Sequence, residues 1–330
     1  MNPSQNLLVL YTGGTIGMQM SEAGLAPASG FEDRLKSEQA LHPERPAPAW
    51  QFRELSPPID SANMRQANWL AMRDAIVQAV DADGFDAVLL LHGTDTLAYS
   101  AAALSFLLLG IPVPVLLTGS MLPAGAAGSD AWPNLFGALA ALHHGCLPGV
   151  HLFFDGQVLH GARTSKLKSE AFDAFANMAR ARHGAHAEAL PDALHYRQPR
   201  QPVALAVQPL FPGLSTAQLS ATLESGAQGV LLECYGSGTG PSDDPAFLAV
   251  LREARERGVV LAAISQCPLG HVDFEVYAAG SALAEAGLVS GGGMTREAAL
   301  GKLFGLLGAG LEPAEVERLF ILDLCGECAD

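Results

Sequence analysis

Leu7-Leu8-Val9-Leu10-Tyr11-Thr12-Gly13-Gly14-Thr15 is a short apolar run that empties into glycines and threonines. A run apolar at every position reads as a strand buried on both faces, as in the interior of a parallel sheet. Residues 87–91 (AVLLL) repeat the plan and run into His92-Gly93-Thr94-Asp95-Thr96. Residues 113–117 do so again and run into Thr118-Gly119-Ser120, and 150–154 form a fourth apolar run. Between these runs the spacing predicts helices over 69–80, over 99–109 before Gly110 and Pro112, and over 133–142 with Pro133 at its start. Buried strands alternating with helices imply a parallel α/β sheet with right-handed crossovers.

The alternation breaks over 183–202, where His, Tyr, Pro, Arg and Gln replace any periodicity, and resumes with strands at 203–207, 229–233 and 259–264. Helices are expected from about Ser215, where Ser215-Thr216-Ala217-Gln218 resembles a capping box, over 245–257, and after 264 to the end. A chain of 330 residues is long enough for about two domains. The expected division is a catalytic domain over 1–182, a linker over 183–202 and a second α/β domain over 203–330. The tract 23–49 is rich in Pro and charge and too long for an ordinary connection, so it reads as a functional flap.

Hydrophobic residues make up 49% of the chain and charged residues 16%, a composition that buries a core rather than staying disordered. Thirty-four Asp and Glu against nineteen Lys and Arg leave a formal charge of −15. That balance argues against nucleic acid and against an anionic membrane as partners. The most apolar long stretch, 101–117, is interrupted by Gly110, Pro112 and Pro114, and the first ten residues lack the basic start of a signal peptide. Cys146, Cys234, Cys267, Cys325 and Cys328 are an odd count without disulfide-scaffold density. They read as mostly buried free thiols of a reduced, cytoplasmic protein. Cys325-Gly-Glu-Cys328 alone is a weak metal or redox signal.

In open parallel sheets, ligands bind beyond the carboxyl ends of the strands. Three such ends here carry glycines and hydroxyls. Gly13-Gly14-Thr15-Ile16-Gly17 has neither the order of a dinucleotide loop nor the Lys of a phosphate loop. The functional reading makes Thr15 a nucleophile, with nearby backbone N–H groups as an oxyanion hole. A threonine hydroxyl needs a proton acceptor. His92 reads as a core histidine bonded to backbone, and Lys166 in Arg163-Thr164-Ser165-Lys166 is the alternative. Asp95 could hold Lys166 near Thr94 or could bind a substrate ammonium. Asp60-Ser61 reads as a helix cap or as a holder of a substrate carboxylate.

Taken together, Tyr11–Met18 (YTGGTIGM), Asp60-Ser61, His92–Thr96 (HGTDT), Thr118-Gly119-Ser120 and Arg163–Lys166 (RTSK) resemble the bacterial L-asparaginase family, its cytoplasmic type I branch most. The likeness runs from about Leu7 to about Ile321 and includes Tyr235–Gly240 (YGSGTG) and Gln266-Cys267. It implies a larger N-terminal domain with a flavodoxin-like parallel sheet and a smaller C-terminal α/β domain. It also implies hydrolysis of L-asparagine to L-aspartate and ammonia without metal or cofactor, in a homodimer or a dimer-of-dimers tetramer. Carried onto this chain, it makes Thr15 the nucleophile and Thr94, Asp95 and Lys166 the second constellation. Gly14, Asp60, Ser61, Ala62, Gly93, Thr94 and Asp95 then bind substrate. Type I relatives can have a regulatory asparagine site, and Ser165 and Cys267 lie in the corresponding segments.

Two positions depart from the family pattern. Many members carry a flap Tyr whose phenol bonds the nucleophile, where this chain has Leu25 in Gly24-Leu25-Ala26-Pro27. Met121 stands where relatives often have Gln. Leucine can neither accept nor relay a proton, which leaves Tyr11, Lys166 or a neighbouring subunit to serve Thr15. The same loss motivates a contrasting reading, a weakly active or non-catalytic amino-acid sensor. The same residues would also serve a glutaminase or an amidotransferase-type amidohydrolase.

Overall fold

In a computed structural model of the chain, described for residues 4–21, 24–26, 28, 30–181 and 183–328, the contacts divide into two units, Met1–Asn177 and Met178–Asp330. Ala23, Pro27 and Ser29 of the expected flap, and position 182 at the end of the expected first domain, lie outside the described residues.

The first unit carries strands β1 (Asn6–Gly13), β2 (Gln19–Ser21), β3 (Gly24–Ala26), β4 (Ala49–Ile59), β5 (Ala87–Leu91), β6 (Pro114–Thr118), β7 (Gly149–Phe154), β8 (Gln157–His160), β9 (Thr164–Lys166) and β10 (Phe175–Asn177). Its helices are α1 (Phe31–Leu41), α2 (Gln66–Asp81), α3 (Leu97–Leu107) and α4 (Ala131–His144). The main sheet runs β4-β1-β5-β6-β7-β8, parallel except for the β7–β8 edge pair. Its five parallel strands, numbered in chain order, stand as 2-1-3-4-5, the flavodoxin-like order that the resemblance implies. Every residue of β5 and β6 is buried, as uniformly apolar strands between helical layers must be. Each fully buried Leu there contributes about 1.5–3 kcal/mol.

Among the elements that escape the sequence reading, two matter most to the site. β4 is an edge strand, and its exposure fluctuates along Ala-Trp-Gln-Phe-Arg-Glu-Leu-Ser-Pro-Pro-Ile. Edge strands tolerate prolines that a central strand rejects, so Pro57 and Pro58 hid it. Helix α1 lies inside the supposed flap, where its few apolar residues, Phe31 and Leu35, give little periodic signal. Aromatic stacking anchors it, with Phe31 5.3 Å from Tyr11 and 5.9 Å from Trp132. What remains of the flap is the β2–β3 hairpin, which pairs Met20 with Leu25.

The second unit holds β11 (Leu205–Pro209), α5 (Thr216–Leu223), β12 (Gly229–Cys234), α6 (Pro245–Glu256), β13 (Val260–Ser265), α7 (Ala278–Glu285), β14 (Leu288–Ser290), α8 (Arg296–Leu307) and α9 (Pro313–Phe320). Its four strands are parallel in chain order. The Ser215 capping box forms, with the Gln218 amide donating to the Ser215 hydroxyl at 3.2 Å and the Ser215 amide to the Gln218 side chain at 3.0 Å. Three-residue β14 interrupts the run of helices expected after 264 and is too short to stand out as a strand.

The stretch 183–202 packs within this second unit. Leu194 and Tyr196 are buried, and the Ala187 and Gly184 amides donate to the Asp323 and Cys328 carbonyls at 2.9 and 2.8 Å. Aromatic and imidazole side chains without a period can still fill a core, but they leave no pattern to read.

The C-terminal loop is knit by a buried ion pair. Lys302 on α8 lies 2.6 Å from Glu327, both fully buried, and also donates to the Leu322 carbonyl. Glu327 takes the Leu324 and Cys325 amides at 3.0 and 2.8 Å. Asp323 takes the Gly326 and Cys328 amides at 3.1 and 2.9 Å. Asp323, Glu327 and Cys328 stand close enough to share an ion, but both carboxylates already hold these donors. Burial pushes the Cys328 thiol up to about 12 and the Cys325 thiol well up too, so neither supplies a thiolate readily. Among the described residues none of the five cysteines forms a disulfide. Cys234 and Cys328 are buried, whereas Cys267, expected as a buried thiol, is exposed.

Removing one partner of a buried pair strands the other charge. Lys302→Ala is therefore expected to lower stability by roughly 3–5 kcal/mol in urea unfolding.

Candidate active site

The switch point of the first sheet lies between β1 and β5, where successive crossovers leave in opposite directions and a crevice opens. Gly14 and Thr15 follow β1, and Gly93, Thr94 and Asp95 follow β5. The two turns touch through backbone. Gly14 has φ 89°, and a Cβ built on it would lie 2.3 Å from the Gly93 nitrogen. Only glycine meets both demands. At Gly17 the place of a Cβ is taken by the Tyr11 ring and hydroxyl. The Arg34 guanidinium of α1 donates to the Gly17 carbonyl at 2.8 Å, holding the end of the same loop.

β4 brings the third segment. Its register with β1 slips after Tyr11, so that Gly13 pairs with Ile59 and Asp60-Ser61 emerges beside the glycine turn. The Ser61 hydroxyl sits where a Cβ on Gly93 would fall. Asp60 accepts the Ala62 amide at 3.2 Å and caps the short 3-10 turn Ser61–Asn63, three residues ahead of α2. Helix α2 has its own start, the Arg65 amide donating to Asn68 at 2.9 Å.

Lys166 arrives on the β9–β10 hairpin, where it pairs with Phe175. Its ammonium lies 3.0 Å from the buried Thr94 hydroxyl and 3.0 Å from Asp95. The lysine is thus well covered while the Asp95 side chain is 64% exposed. The three residues expected as a second constellation stand in contact.

Most strand-end hydroxyls are spent on backbone. Thr12 donates to the Leu91 carbonyl at 2.9 Å, Thr96 to Ser61 at 2.9 Å, Thr118 to Phe153 at 2.8 Å and Ser120 to Leu122 at 2.6 Å. The third cluster, Thr118-Gly119-Ser120, therefore serves the turn itself. Asp130 and Asn134 complete that turn, and the sequence reading passed over both. Asp130, itself buried, accepts the Met121 and Leu122 amides at 2.9 and 3.0 Å, and Asn134 donates to the Gly119 carbonyl at 3.0 Å. Their only sequence signal is an Asp just before a helix with an Asn four residues on. Among the described residues, the Thr15 hydroxyl makes no hydrogen bond.

Tyr11 is one of the groups left to serve Thr15, and Leu25 stands where the flap phenol is missing. Among the described residues the buried Tyr11 hydroxyl, facing Gly17, has no partner, and burial pushes its phenol up to about 12. It stays protonated at neutral pH and makes a poor base. Leu25 is 48% exposed on the hairpin. His92 is fully buried, as its reading as a core histidine requires. Its Nδ1 lies 2.6 Å from the Gly93 carbonyl and its Nε2 2.8 Å from the Ser100 hydroxyl.

Fold and site together define a doubly wound α/β protein with hydroxyls and a lysine gathered at its switch point. Residues 6–200 match the family model described as Asparaginase, N-terminal, and residues 205–320 that of the Glutaminase/Asparaginase C-terminal domain. L-asparaginase 1 of Escherichia coli K12 is 37% identical over 98% of each chain. The L-asparaginase of Thermococcus kodakarensis is 34% identical over 97% of this chain and 98% of that one. The crystal structure of L-asparaginase I from Vibrio cholerae superposes with a TM-score of 0.85 at 33% identity, covering 99% of each chain. The chain belongs to the asparaginase family.

Burial holds the His92 imidazole down at about 4, so it is neutral when folded and near 6.5 when unfolded. The unfolded chain therefore takes up a proton first as pH drops. The contribution of His92 to stability is complete above about 6.5 and is lost as pH falls towards about 4. Urea unfolding across that window is expected to show wild type losing on the order of 2–3 kcal/mol more than His92→Asn.

Proposed function

We propose that this chain hydrolyses L-asparagine to L-aspartate and ammonia, with Thr15 as nucleophile. The observation that carries the reading is the uncommitted Thr15 hydroxyl on its glycine turn, beside a Thr94–Lys166–Asp95 group held together by 3.0 Å contacts. The substrate chemistry comes from the family and from relatives named as L-asparaginases.

In this mechanism the Thr15 Oγ1 attacks the side-chain amide carbon. The C–N bond breaks, the threonine proton leaves with the nitrogen as ammonia, and an aspartyl ester remains on Thr15. Water, oriented by Thr94 and Lys166, adds to the ester carbon and releases aspartate, returning a proton to the Thr15 oxygen. Backbone N–H groups at Thr15 and Thr94 take the oxyanion. Asp60, Ser61 and Ala62 hold the α-carboxylate and amino ends beside Gly14 and Gly93, and Asp95 faces the substrate ammonium. Fixing both ends of a four-carbon amino acid places its amide against one hydroxyl.

With Tyr11 buried and protonated and Leu25 inert, the proton acceptor within this unit is Lys166, which serves once its own proton has passed to Asp95, 3.0 Å away. The working form is a cytoplasmic homo-oligomer, a dimer or a dimer of dimers. Family membership supports that part of the reading, and cysteines without disulfides fit a reducing compartment.

Ammonia release from L-asparagine is the test. Thr15→Ala is expected to lose on the order of 10³-fold or more in kcat. Wild type that binds asparagine without releasing ammonia would replace the enzyme by a sensor. Leu25→Tyr is expected to raise turnover roughly tenfold or more by restoring a flap phenol. An unchanged rate would leave Lys166 as sufficient acceptor.

A further inference from the structure

We propose that the buried chain Trp69–Ser100–His92 is a positioning relay that fixes the Gly93–Thr94 peptide and, through it, aims the Thr94 amide at the reacting carbonyl. The proposal rests on the asparaginase reading for its chemistry and on hydrogen-bond directions for its geometry.

Those directions follow from one end of the chain. An indole N–H can only donate. Trp69 Nε1 lies 2.8 Å from the Ser100 hydroxyl and so fills one of its acceptor sites. The serine proton is then free for its other partner, His92 Nε2, at 2.8 Å. A ring nitrogen that accepts carries no hydrogen, so in the neutral imidazole the proton is on Nδ1. Nδ1–H donates to the Gly93 carbonyl at 2.6 Å. The opposite tautomer would set two lone pairs against each other at that contact. Ser100 and His92 are fully buried, so water does not compete. The imidazole stays neutral because burial holds it down at about 4.

The consequence lies one bond further on. A trans peptide is planar, with its C=O and N–H on opposite sides. Holding the Gly93 carbonyl against the imidazole turns the Thr94 N–H away from the core. Among the described residues that N–H has no acceptor. The His92 amide is itself tied to the Thr118 carbonyl at 2.9 Å, and the Gly93 nitrogen abuts Gly14, so the peptide is braced from both neighbouring strands. His92 touches no reacting atom and acts through Gly93 and Thr94.

Three variants and one spectrum test this. His92→Leu keeps the apolar volume and removes the donor, and kcat is expected to fall about 10- to 100-fold with KM within a few-fold. His92→Asn, whose amide nitrogen reaches the Nδ1 position, is expected to restore most of that loss. Ser100→Ala frees the tautomer and is expected to lower kcat less than His92→Leu does. Nitrogen NMR of histidine-labelled wild type is expected to show one buried ring protonated at Nδ1 from about pH 6 to about pH 8, with Ser100→Ala shifting it towards a mixture of tautomers.

A His92→Leu protein that melts as wild type and keeps its kcat overturns the proposal. So does an Asn variant no better than Leu, or an Nε2–H signal in wild type. If His92→Leu does not fold, Ser100→Ala and the spectrum decide. The spectrum also separates the two readings. Wild type without asparaginase activity but with the Nδ1–H ring retires the reaction, whereas active wild type with the Nε2–H ring retires the relay.

Discussion

Everything at the switch point depends on two turns approaching each other with no side chain between them. Gly14 at φ 89° lies against Gly93, close enough that a single Cβ would meet the Gly93 nitrogen at 2.3 Å. The contact is made possible by adjacent parallel strands β1 and β5, whose neighbours Tyr11 and Leu91 are paired in register. It makes Thr15 and Thr94 products of one backbone junction rather than of two independent loops. The proposed reaction, attack on a carbonyl by one hydroxyl and hydrolysis of the ester beside another, needs that closeness. Ser61, reaching the same junction from β4, adds a third element without widening it.

Around the junction, hydroxyls separate into those that hold the turns and those left for chemistry. Thr12 and Thr118 cap carbonyls of neighbouring strands, and Thr96 ties β5's turn to Ser61. Each stabilises the turns by about 1 kcal/mol at most, but each also leaves one fewer backbone carbonyl free to rotate. Sequence cannot make this separation, because threonines in a TGGT or a GTDT string look alike. What distinguishes them is place: Thr12 lies within β1 and meets the Leu91 carbonyl of β5, whereas Thr15 comes after the glycine turn.

The buried strands were legible because an apolar run admits few interpretations inside an α/β chain. Central strands β5, β6 and β7 fall within a residue or two of their expected bounds. The edge of the sheet was not legible, and for a physical reason. β4 faces solvent, so it keeps charges and prolines that mimic a loop, yet its register with β1 is what delivers Asp60 and Ser61. Lys166 was legible by scarcity, since nineteen basic residues leave few to explain. Asp130, Asn134 and Arg34 were not, because each acts on backbone, and a carbonyl or amide has no letter in a sequence.

The electrostatics of the site divide along depth. The pair Lys166–Asp95 has its carboxylate 64% exposed, and an ion pair so solvated contributes about 0–1 kcal/mol to stability. Stability is therefore a poor reason for Asp95 to be there, whereas fixing the direction of an ammonium 3.0 Å from the Thr94 hydroxyl is a good one. Beneath it, His92 is neutral and fully buried, so it orients backbone without adding a charge that would compete for Asp95 or for a substrate carboxylate. A charged imidazole one residue from Gly93 would pull anionic groups towards the core side of the turn. Burial keeps that field absent and leaves Lys166 as the cation in contact with Thr94.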